Sequence, residues 1–184
     1  MIGVKKGLDP VLVAEYRGDF ELLVVEAKIK KKSVRIISGY GPQECWPVEE
    51  HLPFFLALEE EVIQAGLAGK AVIIGLDANS KLGKDWIPED SHEQSPNGKV
   101  LSGILKRHAL SVVNSLQGKS QGLITKRRTT VNGVKKSTID FVILSEDLVE
   151  DVEAVRTDDE QANCKVQKKP KKELKLSRVI TTLL

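Results

Sequence analysis

Four polar side chains stand at the ends of apolar segments, or inside them, and their types suit acid–base and metal chemistry. Tyr40 closes the segment SVRIISGY, Asp77 and Asn79 follow directly after AVIIGL, and Asp140 interrupts TIDFVIL. A carboxylate can act as a general base or bind a hard cation, whereas a phenol or an amide can stabilise a developing anion. Catalytic groups are often placed at the carboxyl ends of sheet strands. We therefore expect these side chains to meet at one rim.

Each of these residues also has a purely structural interpretation. Asp77 and Asn79 could terminate a strand and form an Asx turn. Tyr40 could be a partly buried anchor with a satisfied hydroxyl. Asp140 is costly inside an apolar run unless it has a partner, but alternation could also place it on the solvent face of an edge strand. Taken singly, none of the four residues indicates a particular function.

The elements that must position these residues follow from the apolar patterning. Residues 20–30 and 33–40 predict a hairpin of two strands, and Asn132-Gly133 predicts a second hairpin with a type I′ turn. A helix is expected from Pro47 to a C-cap at Gly66. The remaining predictions are strands over residues 8–16, 71–76, 112–113, 138–144 and 179–180, a helix over 98–108, and a helical turn after Ser145. This mixture leaves α/β and α+β layers both open.

Composition restricts the function only weakly. The 28 basic and 26 acidic residues give a net charge of +2, so any nucleic-acid contact must come from local patches such as residues 126–128 and 165–175. Cys45 and Cys164 lack metal-ligand spacing, and free thiols in a reducing compartment are expected. No apolar run is long enough to span a membrane, and no signal peptide is visible. These features predict an intracellular protein of the nucleus or cytoplasm without a small-molecule organic cofactor.

The order and spacing of the motifs resemble the endonuclease/exonuclease/phosphatase superfamily. The motifs are Tyr40-Gly41-Pro42, then GLDAN over residues 75–79, then STIDF over residues 137–141. The strings YGPQE, PFFLALEEEVIQAGLAGK, DANSKLG, TKRRTT and STIDFVILSEDL resemble in particular the endonuclease domain of non-LTR retrotransposon endonuclease–reverse transcriptase proteins. The resemblance implies a four-layer α/β sandwich of two facing sheets with outer helices. It covers residues 1–159 as a partial domain and leaves 160–184 as a basic, degenerate C-terminal segment.

The resemblance also implies a role for each candidate residue in Mg²⁺-dependent hydrolysis of a phosphodiester, usually in DNA. Asp77 would activate the attacking water and contribute to the metal site. Asn79 would hydrogen-bond the nucleophile or a phosphate oxygen, and Tyr40 would donate its phenol to the scissile phosphate. Asp140 would orient a histidine imidazole.

The chain departs from the family pattern in two places. The family's first strands carry an asparagine and a metal-binding glutamate, and both are expected upstream of Met1. The family's closing Ser-Asp-His motif corresponds here to residues 175–180, where Ser177 is retained but the aspartate and histidine are absent. The chain's own histidines, His51, His92 and His108, are expected to be structural.

Two functions follow from these matches and departures. The first is a Mg²⁺-dependent DNA endonuclease with weak or no activity. The second is a non-catalytic retroelement remnant with at most weak nucleic-acid binding. A phosphorylated lipid or nucleotide as substrate is a third alternative, supported only by the breadth of the family.

Overall fold

The computed structural model of the chain describes residues 8–18, 20–88, 92–116, 118, 120–121, 124–131, 133–157 and 179–182. Its centre is a mixed six-stranded sheet. In chain order the strands of this sheet are β1 (Val11–Tyr16), β2 (Glu21–Ile29), β3 (Lys32–Tyr40), β4 (Ala71–Asp77), β5 (Leu110–Val112) and β9 (Asp140–Ser145). They lie side by side in the order β1-β2-β3-β4-β9-β5. The pairs are antiparallel except β3 and β4, which are parallel and are joined by a helix.

Two smaller sheets and three α-helices complete the described structure. The strands are β6 (Ser120–Gln121), β7 (Lys126–Thr130), β8 (Gly133–Ser137), β10 (Ala154–Thr157) and β11 (Val179–Thr182). The three-stranded sheet has the order β11-β10-β6, and β7 and β8 form a hairpin. The α-helices are α1 (Val48–Leu67), α2 (Pro96–Arg107) and α3 (Glu146–Val149), and a short 3-10 helix spans Val113–Ser115. No helix in these ranges is long and apolar enough to cross a membrane.

One face of the six-stranded sheet is covered by α1 and α2. Strand alternation directs every second side chain toward this face, and the helices present buried apolar residues against it. The larger core cluster forms there, with the aromatic residues Phe54 and Phe55 of α1 fully buried. The central strands contribute Ile37, Ile74, Leu76, Phe141 and Ile143 to this cluster.

The opposite face of the sheet carries a second apolar cluster, and the candidate site residues lie on this face. The cluster joins Val34, Ile73 and Val142 to residues that follow β9. Val155 of β10 belongs to it, so the three-stranded sheet packs against the six-stranded one here. A mixed sheet with flanking helices confirms the α/β class expected from the sequence.

Several predicted bounds are shifted in the structure. Helix α1 continues through Gly66, and the chain leaves it at Ala68, followed by Gly69 with φ of +64°. The prediction of a C-cap at Gly66 was therefore wrong, because the left-handed conformation that favours glycine occurs three residues later. Strand β9 begins at Asp140, not at residue 138. The predictions for Cys164, residues 165–175 and Ser177 lie outside the described residues.

Helix α1 is also fixed to the sheet by a buried ionic cluster. The Arg35 guanidinium on β3 donates to Glu61 of α1 at 3.0 Å and to Glu26 of β2 at 2.7 Å. The Tyr16 hydroxyl donates to the Glu61 carboxylate at 2.7 Å. This bond, burial and the charge of Glu61 raise the pKa of Tyr16 to about 12. The helix cannot shift along the sheet without breaking these charge-assisted bonds.

Helix α2 is locked to the loop that follows β4. The Ser95 hydroxyl caps the helix by accepting from the Gly98 N–H at 3.2 Å, and it also accepts from the Lys81 N–H at 3.1 Å. A Cβ atom on Gly98 would lie 1.8 Å from the Lys81 carbonyl oxygen. Only glycine therefore permits this approach, which fixes the loop carrying Asp77 and Asn79.

We predict opposite effects of adding a methyl group at Gly98 and at Gly66. Gly98→Ala forces the helix away from the loop and should lower the free energy of unfolding by about 1–3 kcal/mol or more. Gly66→Ala is the matched control, because a Cβ there meets nothing within 4 Å and alanine favours a helix by about 0.5–1 kcal/mol. Urea unfolding followed by circular dichroism measures both changes. A Gly98→Ala protein as stable as the parent would contradict the close loop–helix contact.

Candidate active site

The sheet places Tyr40, Asp77 and Asp140 in one row across three neighbouring strands. Tyr40 at the end of β3 is opposite Asp77 at the end of β4, and Asp77 is opposite Asp140 at the start of β9. Directly opposed residues point to the same face of a sheet, and neighbouring strands are about 4.8 Å apart. Tyr40 is 43% exposed, and both carboxylates are half-buried. The predicted convergence of these three side chains is therefore present.

Asn79 joins this row through the turn that follows β4. The Asn79 backbone N–H donates to the Asp77 carboxylate at 3.2 Å, so the Asx turn considered from the sequence does form. The same turn holds Asn79 at φ of +44° and directs its side-chain N–H to the Gly41 carbonyl at 2.9 Å. The Asx turn therefore has a structural role and also places the Asn79 side chain at the rim.

The backbone of Gly41 is pressed against this turn. Its N–H donates to the Asp77 carbonyl at 2.7 Å. A Cβ atom at Gly41 would lie 3.0 Å from the Ala78 carbonyl oxygen. This close approach explains why the Tyr-Gly-Pro motif needs glycine after the tyrosine, and it fixes the spacing between Tyr40 and Asp77.

Two buried side chains that were not singled out in the sequence hold Asp140 in place. The Thr125 hydroxyl accepts from the N–H groups of Ile139 and Asp140 at 2.9 and 3.1 Å, and it also bonds the Asp140 carboxyl group. The Asn114 amide accepts from the Val142 N–H at 2.6 Å and donates to the Asp140 carbonyl at 3.1 Å. Thr125 is the first residue of TKRRTT, and Asn114 directly follows the strand predicted over residues 112–113. Their role was hidden because it depends on tertiary contacts.

Burial and mutual repulsion separate the proton affinities of the two carboxyl groups. Burial, then the charge of Asp77, raises the pKa of Asp140 to about 7, against the lowering effects of Thr125 and Lys126. Burial also raises the pKa of Asp77, opposed by the Asn79 N–H and by the charge of Lys126. Carboxyl groups whose surroundings shift their pKa values by different amounts are typical of acid–base pairs. Asp140 is the one that holds a proton near neutral pH.

The histidines of the chain do not supply the imidazole that the family resemblance would pair with Asp140. His51 is buried, and its Nδ1 lies 2.6 Å from the Asn97 amide oxygen. His108 follows the last residue of α2, and its Nε2 lies 2.8 Å from the Glu59 carboxylate of α1. His92 lies in the loop that precedes α2. Within the described ranges, Oδ2 of Asp140 is buried and has no hydrogen-bond partner.

The donor set of the row fits a Mg²⁺ ion that keeps most of its water. Mg²⁺ prefers oxygen ligands and is commonly held by one or two carboxylates together with substrate phosphates. Asp77 and Asp140 provide two adjacent carboxyl groups, and Oδ2 of Asp140 lacks a partner among the described residues. The part of the chain that the structure describes contains no cluster of three or more histidine, cysteine, aspartate or glutamate side chains suited to a metal. Any ion here would therefore depend on substrate and water for most of its ligands.

Comparison with solved structures identifies proteins of the same fold. The chain matches the endonuclease domain of TRAS1, a telomere-specific non-LTR retrotransposon, with a TM-score of 0.58 and 21% identity over 84% of this chain and 63% of that one. It matches a 3′-5′ exonuclease from Neisseria meningitidis with a TM-score of 0.55 and 18% identity, covering 78% of this chain and 60% of that one. No family model and no curated protein sequence matches the chain.

A third match is to an AP endonuclease. The AP endonuclease LMAP from Leishmania major has a TM-score of 0.56 and 12% identity, with 74% of this chain and 49% of that one covered. The chain thus spans between about half and two-thirds of the length of these three proteins. The fold implied by the sequence resemblance is therefore confirmed, at sequence identities that by themselves establish the fold alone.

We predict that Asp140→Asn stabilises the protein at neutral pH but not in acid. Because the pKa of Asp140 is raised in the folded state, ionising this group lowers the free energy of unfolding. This penalty is absent below about pH 4, grows as the pH rises toward 7, and is complete above pH 7. Asparagine removes this penalty and should add on the order of 2 kcal/mol at pH 8, since one pKa unit corresponds to about 1.4 kcal/mol. Unfolding by urea in EDTA at pH 4 and pH 8 measures the difference.

The matched control is Asp85→Asn, which makes the same change in an exposed turn. If Asp140→Asn gains no more stability between pH 4 and pH 8 than this control, ionised Asp140 does not destabilise the fold and the prediction is wrong.

Proposed function

We propose that the chain is a Mg²⁺-dependent phosphodiesterase acting on DNA, of the type encoded by non-LTR retrotransposons, and that its turnover is low. The observation that carries this proposal is the row of Tyr40, Asp77 and Asp140 at one rim of the sheet, with Asn79 turned into it. These four side chains offer a base, a proton donor and two neutral hydrogen-bonding groups. Groups of these kinds can each accelerate the hydrolysis of a phosphodiester.

In the proposed mechanism Asp77 accepts the proton of the attacking water. The Asn79 N–H and the charge of Lys126 lower the pKa of Asp77 against the effect of burial, and the Asn79 N–H orients its carboxylate. The Asn79 side chain holds the water or a phosphate oxygen, and the exposed Tyr40 phenol donates to a non-bridging oxygen. Donors placed where charge develops stabilise the transition state more than the ground state.

Asp140 takes a different role from the one that the family resemblance implies. Without an imidazole among its neighbours in the described ranges, its backbone is held by Thr125 and Asn114, and burial raises the pKa of its carboxyl group to about 7. We assign it as the proton donor to a phosphate oxygen. Asp77 would hold a Mg²⁺ ion, which when bound neutralises the phosphoryl oxygens and stabilises the leaving group.

DNA is the proposed substrate class because of the proteins that share the fold. They are a retrotransposon endonuclease domain, a 3′-5′ exonuclease and an AP endonuclease, and a second structure of the Neisseria enzyme, as a 3′ phosphatase, contains product DNA. We expect low turnover because the site contains few catalytic and metal-binding groups. Each positioned acid–base group contributes about 10²–10⁴-fold, and the described residues place neither a third carboxylate nor a histidine in the row, so several such factors are missing.

We predict that purified protein nicks supercoiled plasmid slowly in Mg²⁺ and not in EDTA. Asp77→Asn removes the base while keeping the size of the side chain, and should lower the rate by about 10²–10⁴-fold. Asp140→Asn should lower it as well, whereas Asp85→Asn in the exposed turn should leave it unchanged. Gel quantification of nicked and linear plasmid over hours measures these rates.

Equal nicking by the parent and Asp77→Asn would assign the activity to a contaminant and overturn the proposed reaction. The remaining interpretation would then be a non-catalytic domain with at most weak nucleic-acid binding. Hydrolysis of a nucleotide or a phosphorylated lipid, with no nicking of plasmid, would instead change the substrate class.

A further inference from the structure

Lys126 is the first residue of β7 and lies beside the row of site residues. It follows Thr125, whose hydroxyl contacts the backbone and the carboxyl group of Asp140. Its partner across the hairpin is Ser137, three residues before Asp140. The Lys126 side chain is half-buried, unlike that of Lys136, which is exposed on the other strand of the same hairpin. The hairpin therefore brings one lysine toward the site and leaves another in solvent.

The charge of Lys126 acts on both carboxyl groups of the row. It lowers the pKa of Asp77 and that of Asp140, against the effect of burial. Of the basic side chains in the described ranges, Lys126 alone is a cause of both shifts. A half-buried ammonium group interacts more strongly with nearby charges than a fully solvated one does, because water screens it less.

A site with two acidic groups needs such a charge if it is to receive a phosphodiester. Unit charges 4 Å apart interact by about 4 kcal/mol at the effective dielectric constant of a protein surface, so Asp77 alone repels a phosphate substantially. Tyr40 and Asn79 are neutral and cannot offset this repulsion. An ammonium group on a flexible four-carbon stem can approach a phosphate oxygen as a point charge.

We propose that Lys126 is the cationic phosphate-binding residue of this site. It draws a backbone phosphate of DNA to the row formed by Tyr40, Asp77 and Asp140, and it offsets the repulsion between the Asp77 carboxylate and that phosphate. This inference rests on the proposed function for the identity of the ligand, but not for catalysis, because binding is measured separately from hydrolysis.

The test measures binding of a fluorescent 16-base-pair DNA duplex in EDTA, where metal-dependent cleavage cannot occur. Lys126→Gln should weaken binding about tenfold at low salt and reduce the slope of log affinity against log salt by about 1, since one phosphate contact is lost. Lys136→Gln removes the same charge from the same hairpin and should change both quantities much less. Lys126→Arg keeps the charge and should restore the slope.

Equal effects of Lys126→Gln and Lys136→Gln would overturn the assignment, and so would a slope that Lys126→Arg fails to restore. A lowered affinity with an unchanged slope would also overturn it, because that result indicates a structural role. If the parent binds DNA through Lys126 but never nicks plasmid in Mg²⁺, the proposed hydrolysis fails while this inference stands.

Discussion

The structure brings two carboxyl groups together on neighbouring strands, where they repel each other and are half removed from water. Asp77 and Asp140 are paired by the register between β4 and β9, so neither can move away without shifting a central strand. The surrounding residues act against this repulsion. Thr125 and Asn114 fix the backbone of Asp140, the Asn79 turn donates to Asp77, and the charge of Lys126 acts on both.

Such an arrangement is expected at a site where function is maintained at the expense of stability. A raised pKa in a folded protein means that the fold disfavours the ionised group, so the Asp140 carboxylate opposes folding above neutral pH. The fold tolerates this because its other contacts are strong and rigid. The core under α1 and α2, the Arg35 cluster and the close approach at Gly98 hold the strand ends in place.

The sequence predicted the parts that depend on short-range patterns. Apolar runs identified five strands of the six-stranded sheet, whereas the strand predicted over residues 112–113 shares only Val112 with β5. The residues at the ends of those runs, Tyr40, Asp77 and Asn79, proved to be neighbours. The parts that depend on long-range contacts could not be predicted in this way. Thr125 and Lys126 lie near Asp140 only because the β7–β8 hairpin folds back, and the proton affinity of Asp140 depends on burial that no single segment encodes.

The measurement that tests the central claim most directly is titration of the ¹⁵N-labelled protein with Mn²⁺, followed by paramagnetic broadening of backbone amide signals. If the row is one metal- and phosphate-binding site, the amides of Gly41, Asp77, Asn79 and Asp140 should broaden together and first, and added Mg²⁺ should reverse the effect. Broadening that begins at the opposite end of the sheet around Asp151, or that affects these four amides at different Mn²⁺ concentrations, would contradict a single site.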